Sequence, residues 1–384
     1  MICIQNGLIH TALSPEPFWG DILINGSVIE KIGTDLPIPA DCEIIDASGL
    51  SVYPGFIDAH CHIGLDGTAI GYEGQDYNEY NDPVTPQLRA IDGINPMDAS
   101  FKLALEGGVT CVSTGPGSSN PIGGGFTAIK TYGKRVDSMI VREISAMKCA
   151  FGENPKRVYR EKGISSRMTN AAIIREALFK AKQYLAKKQA AGDDISKAPA
   201  YDVKMEALIP VLQKQIPLKA HAHQANDLFT ALRIAKEFDV DITLEHVTEG
   251  HLIAEELAKE NVRLAVGPTL GHPSKYELQH KCWETPGILA DAGCAVSIIT
   301  DSPVIPQEHL ALCAGMAIKA GMKPFDALQA ITINPAHHLG IQDRVGSLEV
   351  GKDADIVITD GSPFSVETLI CYVLCDGKIL HKQV

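Results

Sequence analysis

The run SVYPGFIDAHCH reads as a β-strand that closes on Asp58-Ala59-His60-Cys61-His62. Residues i and i+2 of a strand point to the same side. His60 and His62 would therefore present two imidazoles from one face of a strand end, an arrangement able to grip one divalent ion. Alone the signal is modest, because surface HxH pairs are common. Three further strand-like runs end in residues of the same kind. IPLKAHAH carries Lys219-Ala220-His221-Ala222-His223, DITLEHV carries Leu244-Glu245-His246, and CAVSIITD ends in Ile298-Ile299-Thr300-Asp301. Each has an ordinary explanation by itself. A lone His is more often a satisfied polar group, and an Asp after a strand is often a helix N-cap. In chain order, together, they point to a metal centre built from several strand ends.

The elements that must position these residues alternate. GVTCVSTGP, REISAMKCAFGE and VRLAVGP are further strand-like runs. ANDLFTALRIAKEF, GHLIAEELAKE, PQEHLALCAGMAIKAG and KPFDALQAITI read as helices between them, and TNAAIIREALFKAKQYLAKK as a long helix with Thr169 as its N-cap. Strand–helix alternation implies a parallel α/β sheet, and about eight repeats favour a closed (β/α)8 TIM barrel over an open sheet. Active sites of such barrels lie at the C-terminal ends of the strands, where the His and Asp residues fall. The chain ends differ from this middle. Residues 1–50 are short strands with Asn25-Gly26 as a hairpin signal, and the last stretch pairs the strand DADIVITD with a hairpin around Asp376-Gly377. The expected organisation is a small β-sandwich domain from both termini, residues 1–52 plus 347–384, and a barrel over residues 53–346.

Composition excludes several classes of function. The 384 residues are 45% apolar and 21% charged, as in a globular chain, and the formal net charge is -13, unfavourable for binding nucleic acid. Lys180, Lys182, Lys187 and Lys188 are spaced along one helix and read as a solvated face. No stretch reaches the about 18 apolar residues of a membrane span, and the N-terminus lacks a signal-peptide pattern. The 10 cysteines form no CxxC pair and read as reduced thiols. A cytoplasmic protein with no nucleic-acid or membrane partner is expected. No phosphate-binding glycine motif is present.

Taken together, HxH at the first central strand, a fourth-strand residue, His, His and Asp resemble the pattern of the amidohydrolase superfamily. PGFIDAHCHIG is similar to that family's first-strand motif, and NPAHHLGI with GSLEVGKDADIVITD to its closing segment. The resemblance covers nearly the whole chain and is strongest to the imidazolonepropionase-related branch, which includes Xaa-Pro dipeptidases. It implies one or two divalent ions, most commonly Zn. His60, His62 and Asp301 would bind the more buried ion, and His221 and His246 a second one, or substrate. His221 matches the fifth-strand position better than His223, although both lie on one strand face. The fourth-strand ligand would be Lys148, as a carboxylated lysine in Met147-Lys148-Cys149-Ala150, or Glu153 in Gly152-Glu153-Asn154-Pro155.

The reaction so implied is hydrolysis of a C–N bond, in an amide, lactam or peptide-like small molecule, by metal-activated hydroxide. Asp301 would act as general base and then acid, and His246 or His221 would stabilise the oxyanion. His223, Arg167, His272 and Arg157 are candidate substrate contacts, as are other loop cations such as Lys156. The insertion GLDGTAIGYEGQDYNEYNDPVTP is long enough for a lid or a partner contact, and GPGSSNPIGGG reads as a glycine-rich loop. Two alternatives remain. A heterocycle deaminase would carry a Glu in an HxxE arrangement on the fifth strand, which neither His221 nor His223 offers. A non-catalytic scaffold would have lost ligand residues that are all present here. The accessory strands and exposed loops make a homo-oligomer an expectation.

Overall fold

The computed structural model describes residues 1–67 and 71–383. Residues 68–70 of the insertion after the first central strand lie outside the described part. Two eight-stranded sheets organise the chain. The first joins the chain ends. It contains β1 (Ile2–Ile9), β2 (Phe18–Asn25), β3 (Val28–Gly33), β4 (Glu43–Asp46) and β5 (Ser51–Pro54) from the N-terminal side. The second is the barrel, formed by β6 (Phe56–Cys61), β7 (Val109–Thr114), β8 (Ile122–Lys130), β9 (Ile140–Ala150), β10 (Leu218–Ala222), β11 (Ile242–His246), β12 (Arg263–Val266) and β13 (Val296–Ile298). The chain then returns to the first sheet with β14 (Ile356–Thr359), β15 (Ile370–Cys375) and β16 (Lys378–Lys382).

The terminal sheet runs β16-β15-β14-β5-β1-β2-β3, with β4 also paired to β1. Strands from both ends thus share one ladder, joined where β14 runs antiparallel to β5. Both hairpin turns are where the dipeptides place them. Asp376 (φ +48°) and Gly377 (φ +70°) are left-handed, as a tight hairpin turn demands. Gly377 also abuts the other turn: a Cβ there would stand 2.1 Å from the Gly26 carbonyl oxygen. Ile4, Ile22, Ile45, Val52, Ile356 and Leu374, from six strands, share one buried apolar cluster.

The barrel strands follow one another in chain order, from β6 to β13. The sheet is a nearly closed eight-stranded barrel, bridged just past its seam. The Asp301 amide donates to the His60 carbonyl (3.2 Å), and the His62 amide to that of Ser302 (2.7 Å). The buried Asp58 carboxylate reinforces the seam, accepting from the Thr300 amide (3.0 Å), the Thr300 hydroxyl (2.6 Å) and Gln307 (2.7 Å).

One strand departs from the expected parallel order. β8 runs antiparallel to both β7 and β9. The glycine-rich stretch expected as a loop therefore lies partly in this strand, through Ile122-Gly123-Gly124-Gly125. The glycines admit another segment. The Gly125 amide donates to the Leu88 carbonyl (2.8 Å), and a Cβ on Gly124 (φ +122°) would meet the Leu88 oxygen at 2.5 Å. The segment from Val84 to Arg89 thus lies against β8, which composition could not reveal. The long helix spans Arg167–Ala191, and Ser166, not Thr169, caps it by accepting the Thr169 amide. Both residues can cap a helix, and the earlier one does so because Arg167 and Met168 already adopt helical geometry.

Lys130 ties the barrel to the terminal sheet. Its ammonium, 4% exposed, lies 2.8 Å from Asp355, 3.0 Å from Asp353 and 3.1 Å from Asp376. Burial works against its charge, but the carboxylates, Asp355 foremost, prevail and raise its pKa. Lys130→Met would leave this acidic cluster without its cation. It should destabilise the protein by about 3–5 kcal/mol in denaturant unfolding, and a loss below about 1 kcal/mol would show that the cluster is not what docks the sheet.

Candidate metal centre

Seven ionisable side chains converge at the C-terminal mouth of the barrel. His60 and His62 come from β6 and its end, Lys148 from β9, His221 and His223 from β10 and its end, His246 from β11, and Asp301 from the turn after β13. They form two groups whose ligand atoms are close enough to share an ion: His60, His62 and Asp301, and His221, His223 and His246. In the first, Asp301 Oδ1 lies 3.2 Å from His62 Nε2 and 3.6 Å from His60 Nε2. In the second, ring centroids are 4.3 Å apart for His221 and His246, and 4.7 Å for His223 and His246.

Strand alternation aims most of these side chains. Asp58, His60 and His62 share one face, as do Lys219, His221 and His223. His246 and Asp301 need more than alternation. Both have positive φ, +76° and +54°, uncommon for non-glycine residues. The strained backbone turns the chain at a strand end, so Glu245 points into the barrel and its neighbour His246 still reaches the mouth.

The imidazoles are prepared for metal. His62 Nδ1 is 2.7 Å from the Gly115 carbonyl oxygen, and His246 Nδ1 is 2.8 Å from that of Gly267. A carbonyl oxygen can only accept, so each Nδ1 carries a proton, and Nε2 is the nitrogen turned toward the centre. His60 Nδ1 faces the Glu245 carboxylate at 3.1 Å with the same result, and His223 Nδ1 faces Thr248 Oγ1 at 2.8 Å. Burial holds the pKa of His60, His221 and His223 well below the ordinary value and brings His246 to about 4, so all four are neutral ligands near neutral pH. Burial opposes the Asp301 charge, but the facing imidazoles, His246 and His62, prevail and keep it ionised. Both ring nitrogens of His221, and Nε2 of His223 and His246, are buried without a hydrogen-bond partner among the described residues. Orphaned buried nitrogens destabilise a protein unless something binds them. Three neighbouring imidazoles, each offering one such nitrogen, fit a divalent cation.

Of the two fourth-strand candidates, Lys148 is the one at the centre. Its Nζ lies 3.1 Å from His60 Nε2 in full burial. Burial pushes its pKa down to about 7, so much of it is a neutral amine, the form that reacts with carbon dioxide. Glu153 is committed elsewhere. Its Oε2 accepts the Glu277 amide (3.2 Å), and its own amide donates to Glu277 Oε2 (3.0 Å). Arg167 pairs with Asp227 (2.9 Å) and also donates to Gln224. Arg157 is exposed and reaches Asn154 at 3.4 Å, and His272 is exposed on the loop after β12. The insertion contributes Tyr77, whose ring centroid is 5.3 Å from that of His62.

Beneath the mouth lie residues to which the sequence alone assigns no role. Glu245, Lys219 and His338 are fully or nearly fully buried. Glu245 accepts from Lys219 (2.8 Å) and faces His338 Nε2 (2.9 Å). Lys219 could have been found, since it precedes His221 by one strand period. His338 is separated from β11 by almost a hundred residues, and no local signal joins it to Glu245.

Comparison with known proteins agrees with this geometry. The amidohydrolase family model matches residues 51–382. The chain is 30% identical to the amidohydrolase tasK of Hapsidospora irregularis over 93% of its own length. It spans only 39% of that larger relative. The crystal structure of an amidohydrolase from Thermotoga maritima MSB8 is 42% identical, covers 100% of both chains and superposes with a TM-score of 0.96. A shorter stretch, 19% of this chain, is 44% identical to the imidazolonepropionase of Thermoplasma volcanium.

The burial of Lys148 makes its chemistry dependent on pH. Its neutral fraction increases as pH rises through about 7. At fixed dissolved carbon dioxide, carbamate on Lys148 should increase between about pH 6 and pH 8. NMR with isotopically labelled carbon dioxide would read it, and a carbamate signal that persists in Lys148→Met would place the modification elsewhere.

Proposed function

This chain belongs to the amidohydrolase family, and from that premise we propose that it hydrolyses a C–N bond of a small amide, lactam or peptide-like molecule at the barrel mouth. The carrying observation is two adjacent groups at the mouth, His60 with His62 and Asp301, and three histidines whose buried imidazole nitrogens lack partners among the described residues. His60, His62 and Asp301 would hold one divalent ion, with Lys148 beside them. His221 and His246 would face a second ion or the substrate. Neutral imidazole with carboxylate suits Zn. A divalent ion bound there acts as a Lewis acid and makes a water acidic near neutral pH.

The side chains supply the rest. Asp301 is ionised and placed beside His60 and His62, so it can take the proton of the attacking water. It can return that proton to the leaving nitrogen as the C–N bond breaks. His246, neutral through burial, offers its free Nε2 to the centre, and Gly267 fixes its orientation. Tyr77 beside His62 would wall the site on the side of the insertion. Of the candidate substrate contacts, His223 lies in the histidine group at the mouth. Arg167 would act through its pairing with Asp227. His272 and Arg157, both exposed, would meet only a substrate that extends out of the mouth.

A deaminase reading has less support, because β10 carries no Glu beside its histidines. A non-catalytic scaffold has less still, with every ligand position filled. Among the described residues no helix is long and apolar enough to cross a membrane, and all ten cysteines are free thiols. That thiol state suits a reducing compartment such as the cytoplasm. We also propose that the terminal sheet folds over its shared apolar cluster as a small β-sandwich domain, residues 1–52 with 347–384, around the hydrolase barrel of residues 53–346. Its exposed edges could serve homo-oligomer contacts.

Asp301→Asn keeps an oxygen facing His60 and His62 but cannot accept a proton. It should lower kcat by about 10²–10⁴-fold while elemental analysis still finds metal. An unchanged kcat would remove Asp301 from the proton path. Chelation should abolish turnover and Zn should restore it, and a chelated protein that still turns over would refute the metal-dependent reading.

A further inference from the structure

Glu277 is a fully buried carboxylate that the reaction above does not use. It lies in a short 3-10 turn, Tyr276–Leu278, on the loop after β12. Its Oε1 stands 3.6 Å from His223 Nε2 and 3.7 Å from His221 Nε2. Both nitrogens are buried and lack a hydrogen-bond partner among the described residues. These separations are too long for hydrogen bonds. They are close to the spacing of two atoms that bind one ion: ligands about 2.0–2.2 Å from a tetrahedral centre lie roughly 3.3–3.6 Å apart. The first group has the same spacing, 3.2 Å and 3.6 Å from Asp301 to its two histidines.

The carboxylate is held in this pose. Its other oxygen, Oε2, accepts the Glu153 amide at 3.0 Å. Gly152 leaves the room for it, since a Cβ there would sit 2.4 Å from Oε2. Loops after two distant barrel strands are thereby pinned to each other through Glu153 and Glu277. Lys275 Nζ lies 2.6 Å from Oε1. Its side chain is 20% exposed, so it can turn toward solvent.

We propose that Glu277 is a ligand of a second divalent ion, held together with His221 and His223. Lys275 neutralises the carboxylate when that ion is absent and yields when it arrives. The assignment rests on the reading of the barrel mouth as a metal centre. It adds a carboxylate, from the strand-seven loop, to an otherwise all-histidine group.

Metal titration of the chelator-stripped full chain tests it. Co²⁺ uptake would be followed by visible absorption and counted by elemental analysis. Wild type should take two equivalents. Glu277→Gln should keep the first and weaken the second by about 100-fold or more, since even an outer partner of a metal ligand is worth about 10–100-fold. Gln retains an oxygen for the Glu153 amide, so a purely structural role would leave both equivalents unchanged, and that result overturns the proposal. Lys275→Met should tighten the second equivalent, and an unchanged second affinity overturns it even if Glu277→Gln does not fold. Uptake of a single equivalent by wild type would also overturn it while leaving the first centre intact. No uptake at all would instead defeat the metal-centre reading itself.

Discussion

A carboxylate buried on the barrel axis sets the conditions for everything above it. Glu245 is 0% exposed, where an isolated ionised carboxylate would be prohibitive. It is tolerated because its neighbours satisfy it from several directions. Lys219 stands 2.8 Å away, His60 and His338 face it at 3.1 Å and 2.9 Å, and Thr243 donates at 2.7 Å. The first of these links is to a buried ammonium with the same problem, and each group neutralises the other. The link to His60 carries this constraint to the mouth. An ionised carboxylate opposite Nδ1 fixes the imidazole tautomer and leaves Nε2 open toward the centre. The barrel floor thus determines how a ligand in its upper layer presents itself.

Strain at the strand ends has the same logic. In β11 the inward position goes to Glu245, so strict alternation would point His246 away from the barrel interior. The positive φ of His246 and the +47° of Val247 turn the backbone at that point. Asp301 is treated alike, with its amide tied to the His60 carbonyl and the next turn held by Asp58. Such conformations persist only where surrounding contacts over-determine them. At Asp301 those contacts are the seam hydrogen bonds of Asp58, Thr300 and Gln307, and at His246 and Val247 they are the bonds to Gly267 and Ala222. The motif residue Asp58 therefore serves geometry, whereas His60 and His62, two and four positions on, lie in a group able to hold an ion.

These relations explain what a single sequence could reveal. The inward residues of β6 and β10 were legible because ligand and strand period coincide, as in His60-x-His62 and His221-x-His223. The hairpins at Asn25-Gly26 and Asp376-Gly377 were legible because few residues tolerate their backbone. Choosing between Lys148 and Glu153 was not, since one ends a strand and the other follows it closely, and only their burial and partners separate them. β8 was hidden because its glycines look like a loop until the segment around Leu88 is seen against them. Glu277 was hidden for a similar reason. It is an ordinary residue of a polar loop, and its burial depends on Gly152, more than a hundred residues away.

Charge balance then links the lysine to the metal. Lys219 offsets Glu245 and Lys275 offsets Glu277, which leaves Lys148 beside His60 with Asp301 as the nearby carboxylate. An ammonium there would face a divalent ion at close range. Two unit charges 4 Å apart repel by about 4 kcal/mol at an effective dielectric of about 20, and a doubly charged ion roughly doubles that. The burial that lowers the Lys148 pKa removes this conflict by favouring the neutral amine. A carbamate goes further, turning a repelled cation into an anion that attracts the ion. An ion held by His60, His62 and Asp301 would therefore share one coupled equilibrium with the chemical state of Lys148, and a preparation poor in carbon dioxide should also be poor in metal.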